Sequence, residues 1–419
     1  MDAFLVISLF SCTFAKFFYM EQTKEKGQGV RRAVDTTRHH RENGWDYRGR
    51  AVYHFTFPVE GRFPLFGTLE GESAERAFIK LNPFGYRVYQ ILCGLPQFYA
   101  AKGFALKVLA QKVMPDHIHL VIQVLEPLSQ SIGAVVRGFK SACTMVYKQE
   151  FLSCGENAAE VHSIGEQQGD AAEVHGRASQ QGNAAALMHF ARIFANRNSI
   201  WQQDAAYYHE RILHAPGQLN RMINYVKDNP RRLWLKKNNP DLFRLHRHTE
   251  MCGLSFTSLG NHFLLDWHDN QTVEMPRNAT VEQVQKRLQL AMAAAQNGAV
   301  TYTAAISKGE QLIARTLRKQ GYPLVVLLSD GFPKEGSPHE RFYKPGGIYF
   351  EACSKGQLLL LEPTEQTFLN ADIQSAVEET LRRKAAERHY GYKQIPLKSQ
   401  RYRFVALNEI AKSLARIEQ

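Results

Sequence analysis

The sequence predicts two domains in series. A mixed sheet-and-helix domain is expected over residues 45–245, followed by a parallel α/β domain over residues 250–419. Three observations lead there. The chain has 419 residues, and at roughly 150 residues per domain that length holds two or three domains. Apolar residues make up 44% and aromatic residues 11%, enough to build cores and to exclude wholesale disorder. From about residue 250 onward, strand and helix patterns alternate one for one, the signature of a parallel sheet.

Residues 1–44 read as an N-terminal extension. Residues 3–15 are mostly apolar, like the core of a leader peptide, but Asp2 stands where a cationic segment would be. The stretch is too short to span a bilayer, so a cytoplasmic protein without a membrane partner is expected, with Met20 as an alternative start. Cys12, Cys93, Cys143, Cys154, Cys252 and Cys353 lie far apart with no CxxC pair, which argues against structural zinc and a disulfide framework. Alternation and helical periodicity then predict a strand at 51–57 (AVYHFTF), a helix at 82–101, strands at 105–113 and 117–125, and a helix at 130–150. A strand at 206–213 and a helix at 216–228, ending before Asn229-Pro230, complete the first domain. In the second, a strand at 272–276, a helix at 280–297, a strand at 299–304, a helix at 309–320 and a strand at 323–329 follow in turn.

Between the two halves of the first domain lies a repeat: residues 157–169 read NAAEVHSIGEQQG, residues 170–182 read DAAEVHGRASQQG, and a third copy begins at Asn183. A 13-residue unit rich in Ala, Gln, Gly and Glu cannot bury a core. Residues 153–187 therefore read as a solvent-facing insertion. The formal net charge is +12, which makes a polyanion, nucleic acid first, the partner to consider. Lys and Arg minus Asp and Glu give +3 over 51–150, −4 over 151–190 and +6 over 191–250. The positive excess thus flanks one acidic block.

The sharpest local pattern is Val113-Met-Pro-Asp-His-Ile-His-Leu-Val-Ile122. Side chains alternate along a strand, so His117 and His119 share one sheet face, about 6–7 Å apart at Cα, and can hold one divalent cation. Tyr225 and Asn229 are four apart in NYVKDNP and share a helix face. A tyrosine beside a metal-held phosphate is a nucleophile, and the Asn229 amide oxygen is a candidate third ligand. Arg137, Lys140, Ser141, Thr144 and Lys148 recur at helical spacing as one polar face opposite Val136, Phe139, Cys143 and Val146. Arg231, Arg232, Lys236 and Lys237 surround Trp234, a mixture suited to phosphate contact and base stacking.

Taken together, MPDHIHLVI, GAVVRGFKSACTMVYK, WQQDAAYYHERI and INYVKDNPRRLW resemble the single-tyrosine HUH transposases, nearest to the REP-associated group, over about residues 45–240. The resemblance implies a ferredoxin-like antiparallel sheet with helices on one face. It implies Mg²⁺ or Mn²⁺ on His117 and His119 with Asn229 at the helix ligand position, and Tyr225 as the residue that attacks single-stranded, hairpin-bearing DNA. A homodimer is one arrangement such relatives adopt. The segment after the tyrosine pair departs from the family pattern, with His209-Glu210 following Tyr207-Tyr208, and those two tyrosines are alternative nucleophiles. A DNA-binding protein that has lost catalysis is the second expectation. In the C-terminal domain, Ser307-Lys308-Gly309-Glu310 joins a strand to a helix start and is a candidate anion-binding loop. That stretch loosely resembles Rossmann-like nucleotide-binding folds, with Phe342–Gly347 as a loop closing over the same edge.

Overall fold

The computed structural model describes residues 42, 44–152, 199–202, 209–332, 347–387, 389, 392 and 394–415. The N-terminal extension, the repeat, Tyr207, Tyr208 and most of the loop at 342–347 lie outside the described residues. The chain separates into two compact units at the Asn238–Asn239 bond.

In the first unit, β1 (Ala51–Pro58) leads through a small hairpin, β2 (Gly67–Glu70) and β3 (Phe78–Leu81), into α1 (Pro83–Ala100). Then come β4 (Leu106–Met114), β5 (His117–Val124), α2 (Gly133–Val146, continued by a wider turn at Tyr147–Leu152), β6 (His209–Ile212) and α3 (Gln218–Asn238). Asn82 caps α1 by accepting from the Gly85 amide, as short polar side chains do at helix starts. The main sheet has the order β4-β5-β1-β6, with every neighbouring pair antiparallel.

Alternation divides the sheet into two faces. Tyr53, Phe55 and Phe57 of β1 and Ile118, Leu120 and Ile122 of β5 pack with Val88, Leu92 and Leu95 of α1 and Val135, Val136 and Phe139 of α2. The opposite face carries Val121, which packs with Val226 of α3 and Leu213. The expectation of helices on one face therefore holds for α1 and α2, while α3 covers the other. The reason is in β1 and β5 themselves: both are buried on both faces, so the second face also needs a cover.

The helix expected to stop before Pro230 runs on to Asn238. Proline removes one backbone N–H and crowds the preceding turn. Here Pro230 itself is buried, so packing carries the helix across the break, and next to it the Asn229 side-chain amide donates to the Tyr225 carbonyl at 2.7 Å.

The second unit begins with α4 (Pro240–Phe243), β7 (His246–Met251) and β8 (Leu254–Gly260). It continues with β9 (Asn270–Thr272), α5 (Val281–Gln296), β10 (Val300–Thr303), α6 (Lys308–Lys319) and β11 (Leu324–Leu327), and closes with α7 (Gly347–Ser354), β12 (Leu358–Pro363), α8 (Glu365–Phe368), α9 (Ala371–Ala386) and α10 (Gln400–Ala415). Its sheet has the order β7-β8-β12-β11-β10-β9. The strands β9 to β12 are parallel, and β8 and β7 extend the β12 edge antiparallel. The strand expected at 272–276 is shorter and earlier, at Asn270–Thr272. The parallel strands follow one another in chain order, with no reversal among them. A doubly wound nucleotide-binding sheet holds its ligand at such a reversal, so the Rossmann-like resemblance stops at the alternation of elements.

Gly260 ends β8 at φ +122°, and a Cβ there would overlap the Leu358 carbonyl oxygen on β12. Gly260→Ala is therefore expected to destabilise this unit by about 2–5 kcal/mol, adding backbone strain to steric overlap, as read from its urea unfolding midpoint.

Candidate active site

The turn between β4 and β5 is two residues long, since Met114 pairs with His117. Pro115 and Asp116 form it, and the flanking chain ties it down: the Phe66 amide donates to the Pro115 carbonyl and the Val59 amide to the Asp116 carbonyl. The Asp116 carboxylate lies 2.5 Å from His117 Nδ1 and 2.9 Å from Arg62 Nε. A carboxylate only accepts, so His117 donates its Nδ1–H to Asp116 and turns its Nε2 toward His119.

His119 sits one rung further along, opposite Thr56 of β1 and Lys112 of β4. Its Nδ1 is 3.0 Å from Thr56 Oγ1 and 3.1 Å from His54 Nε2. Either partner can accept the Nδ1 proton, and then His119 also presents a bare Nε2. The two Nε2 atoms are 3.1 Å apart. Two facing lone pairs at that distance repel unless a proton or a cation lies between them. Nitrogens bound to one cation at about 2.1 Å in octahedral or tetrahedral geometry stand roughly 3.0–3.4 Å apart, so the separation fits a shared ion.

Both histidines are buried, at 6% and 2% exposure. His54 is buried too, and burial, assisted by Arg211, His209 and His117, pushes its imidazole down to about 3. It therefore stands neutral beside His119. Among the described residues, no group of three or more His, Cys, Asp or Glu is arranged to hold a metal. An ion on the His pair would draw its remaining ligands from the Asn229 oxygen, water or substrate. Imidazole suits borderline divalent metals, whereas Mg²⁺ prefers an all-oxygen shell.

Tyr225 projects from α3 toward this pair. Its ring centroid lies 5.4 Å from that of His119 and 6.4 Å from that of His54, edge-on to both. The Arg232 guanidinium lies over the same ring at 5.5 Å. Asn229 is buried one turn along. Its nitrogen is held by the Tyr225 carbonyl, which leaves Oδ1 as its lone-pair-bearing atom.

The basic residues divide differently from the sequence expectation. Arg137 and Lys148 are exposed, but Lys140 and Thr144 are buried, so the five polar residues do not form one solvated face. Beside them Trp201, fully buried, packs on Phe139 and donates its indole N–H to the Lys140 carbonyl at 2.9 Å. Burial pushes the Lys140 amine down to about 8. Arg231 is fixed by Asp228 through two contacts of 2.6 and 3.0 Å, and Arg232 is buried against Tyr225. The Trp234 indole donates to the Gly71 carbonyl at 3.1 Å. Lys237 is exposed and Lys236 half-buried.

In the second unit, the expected anion loop is already filled. Ser307 and Glu310 form a capping box on α6. The buried Glu310 carboxylate accepts from the amides of Met275, Ile306 and Ser307. These donors would otherwise greet an external anion, so Ser307, Lys308, Gly309 and Glu310 cap a helix instead. Glu310→Ala would leave three N–H groups, two of them buried, without that acceptor and is expected to cost about 2–4 kcal/mol, measurable by urea denaturation.

Sequence reasoning missed His54, Thr56, Arg62 and Lys112. The signal for the first two was present: in AVYHFTF the polar His54 and Thr56 alternate with Tyr53, Phe55 and Phe57, which puts them on one face. Arg62 follows a tight turn and carries no periodic signal.

Residues 94–163 match the family model described as transposase IS200 like. That span contains His117 and His119 and ends before Tyr225. A solved structure described as a candidate transposase from Deinococcus radiodurans R1 matches with 13% identity and a TM-score of 0.22, covering 45% of this chain and 96% of that one. No curated protein matches the chain significantly. Among the described residues no helix is long and apolar enough to cross a membrane.

Proposed function

We propose that this chain, related through residues 94–163 to the IS200-like transposases, nicks and rejoins single-stranded, hairpin-bearing DNA through a 5′-phosphotyrosine on Tyr225. His117, His119 and Asn229 would hold Mg²⁺ or Mn²⁺. The observation that carries the reading is the convergence of two inward-facing imidazole nitrogens, 3.1 Å apart, with a helix-borne tyrosine ring 5.4 Å away. The ferredoxin-like reading of the domain draws support from the β1-α1-β4-β5-α2-β6 order on a fully antiparallel sheet.

The chemistry balances without an external energy source. Tyr225 Oη attacks phosphorus, a P–O(Tyr) bond forms, and the bond to the neighbouring 3′ oxygen breaks, leaving a free 3′-hydroxyl. Reversal by another 3′-hydroxyl rejoins the strand and returns the tyrosine. When bound, the cation supplies Lewis-acid stabilisation of the pentavalent charge and orients the phosphate. The residues of this chain do the rest. Asp116, Thr56 and His54 hold the two imidazoles in one orientation, and Arg232 brings positive charge to the tyrosine ring. Arg137, Lys148, Lys236 and Lys237 offer charge along the unit for phosphate contacts. Lys140, Arg231 and Trp234 serve packing, helix pairing and the β2–β3 hairpin.

The test is incubation with a hairpin-bearing oligonucleotide and Mn²⁺, resolved under denaturing conditions. The wild type is expected to give a covalent protein–DNA band and Tyr225→Phe none. Salt-sensitive DNA binding without an adduct, unchanged by chelator, would instead favour the reading of a binding protein without catalysis.

A further inference from the structure

Lys112 stands on the edge strand β4, directly opposite His119 in the antiparallel register. Opposed residues in such a pair have Cα atoms about 4.5–5.5 Å apart and side chains on the same face. Its ammonium therefore shares the face on which His117, His119 and Tyr225 meet, under the helix that packs across β4. The side chain is half-buried, and among the described residues it makes no hydrogen bond or ion pair. A cation partly withdrawn from water without a counter-charge is unfavourable. The neighbouring cations have structural roles that Lys112 lacks: Arg62 pairs with Asp116, Arg231 with Asp228, and Arg232 lies on Tyr225.

We propose that Lys112 is a substrate-binding residue whose ammonium takes a non-bridging oxygen of the DNA phosphodiester presented to Tyr225. This rests on the reading of the site as a DNA-processing centre. The polar row Lys112–His119–Thr56–His209 crosses the sheet at one level. Among the described residues no further strand of the sheet lies beyond β4, so that edge is where a single strand would enter along the row. A four-carbon stem lets the ammonium follow the phosphate, and its charge adds to that of a cation on the His pair.

The experiment has two arms. Binding of the hairpin oligonucleotide is measured against salt in the Tyr225→Phe background, where no cleavage intervenes. Adding Lys112→Met should reduce the slope of log affinity against log salt by about 0.7, the share of one single-strand phosphate contact, whereas Lys112→Arg should leave it unchanged. In the active protein, Lys112→Met should slow single-turnover adduct formation at least tenfold, and Lys112→Arg should retain a third or more of the rate. The thermal midpoint and the Mn²⁺-induced shift should stay those of the parent. If Lys112→Met does not fold, Lys112→Gln serves as the neutral variant. An unchanged slope and rate, or a Lys112→Arg variant as impaired as the neutral one, overturns the proposal. Should wild type form no adduct, the proposed reaction fails while the salt slope still decides the phosphate contact.

Discussion

His117→Ala and His119→Ala are each expected to lower the single-turnover rate of DNA strand cleavage in Mn²⁺ by about a thousandfold or more. Lewis-acid stabilisation of the transferring phosphoryl group amounts to several kcal/mol, and each 1.4 kcal/mol is a factor of ten. The Nε2 atoms of the two imidazoles stand 3.1 Å apart, so either loss leaves one imidazole of the pair for the ion. The Mn²⁺-dependent rise in melting temperature should vanish with it, since ligand stabilisation follows occupancy of the folded state. His54→Ala removes a partner of His119 and a ring beside Tyr225 and is expected to cost less, about 10- to 100-fold, as residues that orient a metal ligand do. Full activity of His117→Ala would contradict the assignment of the pair as the metal site.

Trp201→Ala is expected to destabilise the first unit by about 3–5 kcal/mol, the range for truncating a buried large aromatic. The ring is fully buried and packs against Phe57, Phe66 and Phe139. Its backbone bridges Val59, and the adjacent Ile200 carbonyl and Gln202 amide pair with Glu60 and Pro58. Residues 58–66 in turn hold the Pro115-Asp116 turn that aims His117. Losing the indole should therefore loosen both the core and the support of the histidines. Trp201→Phe would refill part of the volume but remove the indole donor to the Lys140 carbonyl, which Thr144 Oγ1 still bonds, and an intermediate loss is expected. A urea midpoint within 1 kcal/mol of wild type for Trp201→Ala would sink the view that this residue straps the sheet to α2.

Much of the site was legible because it is local. The HxH pattern in an apolar run fixes a strand, and alternation fixes one face, as the register of β5 bears out. The i, i+4 relation of Tyr225 and Asn229 also survives, since both stand on α3. What the pattern could not carry is long-range. Only the β1–β5 pairing brings His54 and Thr56 to His119, and only the β4–β5 pairing brings Lys112 there. The helix end assigned at Pro230 failed because burial overrides a local breaker. Lys140 misled because charge and spacing predict a solvated face, and nothing nearby announces its burial or the bond that a tryptophan 61 residues later makes to its carbonyl. The loop at Ser307 misled for the opposite reason: a helix start is a ready anion site, but Glu310, three residues on, already supplies the anion. That capping-box spacing was visible in the sequence.

The most direct test of the account is to identify the amino acid that carries the DNA. After reaction with a hairpin-bearing oligonucleotide in Mn²⁺, nuclease and protease digestion followed by mass spectrometry should find the residual nucleotide on the peptide containing Tyr225. A nucleotide on Tyr207 or Tyr208, or cleavage with no peptide modified at all, would contradict it.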